Sequence, residues 1–152
     1  MSFTGEDGRA QILTVVAEAA DRLAVAIGLL SGAYEMLDDA SAEHLEADLF
    51  RPVQLAYARL RRTHGEFAAR HRMPAREFVP APEGAPARGL KGLVEGAVGE
   101  VLAADGELAT LQDSMLPVEV GDAELRAGLQ QARAGLGPVP GAARGFLRTR
   151  GR

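Results

Sequence analysis

Apolar side chains recur along this chain at alternating spacings of three and four, the period of an α-helix buried on one side. The first stripe is Ile12, Val16, Ala19, Leu23, Ala26, Leu30, Ala33 and Leu37, with Leu13, Ala20, Ile27 and Tyr34 beside it. It predicts an amphipathic helix over 9–38, roughly 45 Å long at about 1.5 Å per residue. Its mixture of large and small side chains suits antiparallel neighbours in a bundle. Asp38, Asp39 and Ser41 supply a break and a cap, and Glu43 suits the positive end of a helix beginning near Ala42.

That second helix is expected to reach residue 72 on the stripe Phe50, Val53, Tyr57, Leu60, His64, Phe67 and His71, extended at its start by Leu45 and Leu49. Pro52 falls inside it, removes a backbone donor and predicts a kink or a restart. Over 73–89, Pro74, Pro80, Pro82 and Pro86 with Gly84 and Gly89 exclude a long helix and predict an extended crossover held to the core by Phe78 and Val79. A third helix is expected over 90–115, with Leu90, Val94, Ala97, Val101, Ala104, Leu108, Leu111 and Met115 as its seam. After a loop at 118–121, Asp122 caps a shorter fourth helix carrying Leu125, Leu129, Ala132 and Leu136, ended by Gly135, Gly137, Pro138 and Pro140. Residues 142–147 add a turn or two that place Phe146 and Leu147 on the bundle, and residues 1–8 and 148–152 are expected to fray. No stretch has the period of a strand. The fold expected is all-α: a four-helix bundle in one domain over 1–152, with three long helices, a shorter fourth and a Pro-rich crossover between the second and third.

With 152 residues, 47% of them hydrophobic, the chain can bury a core without cross-links, and with no cysteine it has neither a disulfide framework nor a thiolate site. The longest apolar run, 23–30, is far short of the roughly 20 residues of a membrane span. The acidic N-terminus lacks the plan of a secretory signal, which predicts a soluble cytoplasmic protein. The net charge of −4 hides an alternation. Residues 1–50 carry ten acids and two bases, 51–89 three and eight, 90–125 eight and one, and 126–152 six arginines and no acid. Consecutive antiparallel helices with this pattern would set each acidic helix beside a basic one.

The third helix has an unusual side. Gly92, Gly96, Gly99, Ala103 and Gly106 recur at four and three, leaving one face nearly bare backbone. Each glycine costs about 0.5–1 kcal/mol in a helix interior. Close approach explains such a face: either a bulky stripe of the same chain fills it, or Gly92, Gly96, Gly99 and Gly106 form the interface of a homo-oligomer. Small-x-x-x-small spacing is best known from membrane helices, an environment that Glu95, Glu100, Asp105 and Glu107 exclude.

The chemistry-bearing residues form no catalytic constellation. Di-iron bundles need Glu-x-x-His pairs, and Arg61, Ala68 and Ser41 stand three residues before His64, His71 and His44. The sequence Ala87-Arg88-Gly89-Leu90-Lys91-Gly92 is similar to the signature of histidine phosphotransfer modules, themselves four-helix bundles, but Arg88 occupies the phosphoacceptor position, so the chemistry cannot occur there. The serines lack a nucleophile-elbow context, and no phosphate-loop glycine pattern precedes a helix. The expectation is a non-enzymatic protein without a cofactor, acting through contact with another protein or a further copy of itself, with neither a membrane nor nucleic acid as partner. Two alternatives remain: a bundle that binds a metal ion or small ligand near Tyr57, His64 and His71, with Glu18 or Glu35 as acidic partners, and phosphate or nucleic-acid binding by Arg59, Arg61 and Arg62.

Overall fold

The structure, a computed structural model, describes residues 5–150. Helix α1 (Gly5–Tyr34) carries Glu6 and Asp7 in its first turn, where the helix dipole favours carboxylates. It begins and ends a turn earlier than the apolar stripe suggests. Met36 and Leu37 donate to the carbonyls of Ala33 and Tyr34 at 3.1 and 3.2 Å, which tightens the chain out of the α-helix. Asp38 then turns extended, and its carboxylate accepts the amide of Ser41 at 2.8 Å as the cap of α2 (Asp39–Leu45), three residues before the expected start.

The irregularity expected at Pro52 takes the form of a π-helical turn, Glu46–Phe50, that joins α2 to α3 (Arg51–Arg70). The amide of Arg51 reaches back to the carbonyl of Glu46, one residue further than in an α-helix. Pro52 thereby falls in the first turn of α3, where a missing donor matters least.

Residues 73–85 form the crossover. Phe78 packs on the core as expected, whereas Val79 is 70% exposed and holds nothing. What anchors the segment is backbone: the amide of Gly84 donates to the carbonyl of Gly28 in α1 at 2.8 Å. A Cβ on Gly28 would collide with the carbonyl oxygen of Pro82, and one on Gly32 with Gly84 itself, so the two glycines of α1 admit the strap. A short 3₁₀ turn, Pro86–Arg88, leads into α4 (Gly89–Asp113). Its seam ends at Leu111. Met115, expected to close that seam, has φ of 68° and an exposed side chain, and the left-handed residue stops the helix.

Both later departures from expectation involve proline. Residues 118–121 are not a loop throughout, because α5 (Leu116–Val120) forms there with Pro117 buried in its first turn. After α6 (Ala123–Leu136), capped by Asp122 as expected, α7 (Val139–Arg150) is a helix of 12 residues, not one or two turns. Pro140 stands in its first turn, where its fixed φ favours helix and no hydrogen bond is lost. Arg148 and Arg150, expected to fray, are helical, and Arg150 donates to Ser41 Oγ at 3.0 Å. Residues 5–8 are helical too, with Gly8 buried against Leu116; the fraying expected for 1–4 and 151–152 lies outside the described residues.

Helix α1 packs on α4 and α3, α3 on α6, and α4 on α6 and α7, around a continuous core that includes Leu23, Leu60, Phe67, Leu93, Leu108 and Leu129. At Gly128 of α6 a Cβ would strike Thr63, so that glycine lets α6 close on α3. Acidic α1 lies beside basic α3 and acidic α4 beside α7 of the last, basic block, as the charge alternation suggests, but α1 and α4, both from acidic blocks, also pack together. Arg22, a minority base in its block, bridges them by pairing with Glu100 at 3.2 Å and with Glu107. Among the described residues there is no strand, and no helix is long and apolar enough to cross a membrane.

Candidate functional site

The two histidines singled out by sequence lie in different surroundings. His64 is 4% exposed on the inner face of α3, its ring edge-on to Phe78 of the crossover at 5.3 Å. Its Nδ1 is buried without a hydrogen-bond partner among the described residues. His71, two turns further on, caps the C-terminal end of α3, lies against the Phe67 ring at 4.3 Å, and places Nε2 2.8 Å from Asp122 Oδ2. Arg70 donates to both oxygens of the same carboxylate at 2.8 and 3.0 Å, and the amide of Leu125 donates to Oδ1 at 2.8 Å. Asp122 is thus the hub that ties the end of α3 to the start of α6. Tyr57 lies under the Arg61 guanidinium, Glu18 lines a groove on the α1–α4 side, and Glu35 follows α1. Among the described residues, no three histidine, aspartate or glutamate side chains gather into a set that could hold a metal ion.

These environments make stability depend on pH in two windows. Burial, with the charge of Arg76 adding to it, holds the His64 imidazole below its ordinary 6.5. The unfolded chain then binds a proton the folded protein refuses, so stability falls as pH drops below about 6.5. Burial pushes the Asp122 carboxyl up, but the Leu125 amide, His71 and Arg70 outweigh it and hold the group below the ordinary carboxylate value. Its contribution is complete above about pH 4 and disappears as pH falls through the depressed folded value. Denaturant midpoints are expected to decline between about pH 7.5 and 5.5, and His64→Leu is expected to flatten that decline. Equal slopes in the two proteins would show that His64 is not its source.

The glycine face of α4 divides into two parts. Gly92 and Gly96 lie under Arg88, and a Cβ on Gly96 would come within 2.8 Å of its guanidinium and 3.2 Å of Leu29. Gly96 thus serves close approach within the chain, whereas at Gly92 a Cβ would make only an ordinary contact of 3.7 Å with the Arg88 Cβ. At Gly99 and Gly106 nothing among the described residues lies within 4 Å of a Cβ position, so no bulky stripe of theirs fills the groove there. Leu102, three residues after one and four before the other, is 55% exposed. The close-packed glycines Gly28, Gly32 and Gly128 were not singled out by sequence, although Gly28-x-x-x-Gly32 was visible as a spacing.

On the opposite side, between α3 and the crossover, Arg61 and Arg62 meet Arg76 and the Phe78 ring around a hollow of about 600 Å³. Arg76 lies 4.7 Å from the centroid of the Phe78 ring and pairs with Asp21 at 2.8 Å. Arg59, Arg61 and Arg62 have no ion-pair partner among the described residues. Sequence identified Arg61 and Arg62 but not Arg76, which the crossover returns to them. No family model matches the chain, and no curated protein or solved structure matches it either.

Proposed function

We propose that the chain is a four-helix bundle in one domain, built on α1, α3, α4 and α6 with α7 as an added helix, and that it works without catalysis by pairing with a second copy of itself through the outer face of α4. The observation that carries this reading is the unfilled pair Gly99 and Gly106 beside the exposed Leu102. Glycines that weaken a helix and approach nothing among the described residues suit a partner helix, and a leucine beside them is a knob for the matching hole.

A two-fold axis at Leu102 gives an antiparallel pair with a defined register. Lys91 and Asp113 each lie eleven residues from Leu102. Eleven residues make about three turns, so both fall on the Leu102 face and each meets the other type in the second copy. Repulsion between two acidic helices is reduced in advance, because Arg22, shared between Glu100 and Glu107, offsets one of their two charges, and Arg133 pairs with Asp105 at 2.9 Å. One helix face is less than a standard interface of about 800 Å² per partner, so the dimer is expected to dissociate on dilution.

Charge reversal tests the register. Lys91→Asp alone places two like-charged pairs in the dimer and is expected to weaken it several-fold in sedimentation equilibrium, with the double variant Lys91→Asp, Asp113→Lys restoring it. A double variant as weak as the single one would rule out this antiparallel pairing.

A further inference from the structure

The hollow bearing the arginines is one end of a longer cleft. A second hollow of about 600 Å³ adjoins it and shares Ala58, Arg61 and Phe78 as walls. This inner part lies beneath the crossover and is lined mainly by apolar groups, with Ile27 of α1, Tyr57 of α3, and Pro80 and Ala81 above them. Its far end carries Glu83, whose carboxylate accepts the hydroxyl of Ser31 at 3.5 Å. The outer part carries three guanidinium groups against the carboxylate of Glu77. The cleft is therefore apolar in its middle, cationic at one end and acidic at the other.

We propose that this cleft binds a small anionic amphiphile, a single carboxylate or phosphate head on an apolar body. The head sits at Arg61 and Arg62, and the body lies along Ile27 and Tyr57 beneath Pro80 and Ala81. Glu83 fixes the direction, because an anionic head at that end would meet a like charge. Arg61 and Arg62 suit the head because neither is committed to a carboxylate, and a planar guanidinium can offer paired donors to one. Arg76 serves differently: paired with Asp21, which offsets much of its charge, and stacked on Phe78, it is a fixed wall of the cleft. Its charge is felt in the interior as well, where it opposes protonation of His64 behind the Phe78 ring. An apolar ligand body gains by displacing water from the middle of the cleft, and the head supplies orientation, the usual division of labour in small-molecule sites.

Isothermal titration of the whole protein with decanoate, decyl phosphate, decanol and inorganic phosphate tests the assignment. Decanoate or decyl phosphate is expected to bind one per chain, and whichever binds tighter identifies the head. Decanol and inorganic phosphate are each expected to bind at least about tenfold more weakly, because each lacks one half of the recognition. The double variant Arg61→Gln, Arg62→Gln is expected to weaken the anionic ligand about tenfold and leave decanol unchanged. Ala58→Trp, at an exposed position on the shared wall, is expected to block the anionic ligand while thermal melting shows the fold intact. Binding of decanol or inorganic phosphate as tight as that of the anionic amphiphiles would overturn the proposal. So would no saturable binding of either amphiphile, or a double variant that binds as the native chain does. None of these outcomes depends on self-association through α4, which lies on another face.

Discussion

Gly32→Val is expected to unseat the crossover from α1 and lower the stability of the fold by about 2–3 kcal/mol. A Cβ at position 32 meets Gly84, with its carbonyl carbon at 2.9 Å and its Cα at 3.0 Å, in addition to the carbonyl oxygen. Those atoms are backbone and cannot rotate away as a side chain can. The strap must lift, and the hydrogen bond from the Gly84 amide to Gly28, one turn away, goes with it. Lifting the strap also uncovers Leu29 and Leu93, which Gly84 touches. Urea denaturation followed by circular dichroism reads the loss, and limited proteolysis is expected to cut within 73–85. Gly135→Ala is the contrast. No atom of the described residues lies within 4 Å of that Cβ position in α6, so adding a methyl group there is expected to gain about 0.5–1 kcal/mol from helix propensity. Equal effects at the two positions would mean that Gly32 is not held against the strap.

Phe67→Ala is expected to cost about 3–5 kcal/mol, the range for emptying a large aromatic site in a core that cannot collapse around it. Phe67 is fully buried on α3, and its ring lies against that of His71. Its carbonyl accepts the His71 amide at 3.1 Å, so the ring sits under the turn that presents Arg70 and His71 to Asp122. The damage should therefore extend beyond the cavity to the junction of α3 and α6. Guanidinium denaturation is expected to show a lower midpoint with the slope unchanged. Leu55→Ala, at an exposed site on the same helix, is expected to change stability by less than about 0.5 kcal/mol. A loss at Phe67 no larger than at Leu55 would contradict its placement in the core.

The long helices were legible because burial writes itself into the sequence as a three-and-four spacing. Ile12 to Ala33, Val94 to Leu111 and Leu125 to Leu136 are buried where that spacing put them, as are Val53, Leu60, His64 and Phe67, while Tyr57 of the same stripe is only half-buried. The errors cluster at Pro117 and Pro140, read as breakers although each stands in the first turn of a helix, the one place where proline favours helix. The sign of charge anticipated that acidic α1 meets basic α3 and acidic α4 meets basic α7, but not that α1 and α4 meet each other. An exposed ion pair contributes about 0–1 kcal/mol, whereas apolar burial contributes about 25 cal/mol per Å², so matching apolar stripes bring acidic α1 and acidic α4 together. The glycine face of α4 was visible as a spacing, but which half closes within the chain depends on where Arg88 and Leu29 fall. Arg76 could not be joined to Arg61 and Arg62 from sequence, because their meeting depends on the path of the crossover, and that path is set by Gly28, Gly32 and Gly84 in contacts remote along the chain.

The most direct test of self-association is the mass of the native chain by light scattering across a range of concentrations, beside that of Leu102→Glu. The expected native mass approaches twice the 16.0 kDa of one chain at high concentration and returns to one chain on dilution, while Leu102→Glu stays at one chain throughout. A native mass of one chain at every concentration, or a dimer that survives Leu102→Glu unchanged, would contradict pairing through α4.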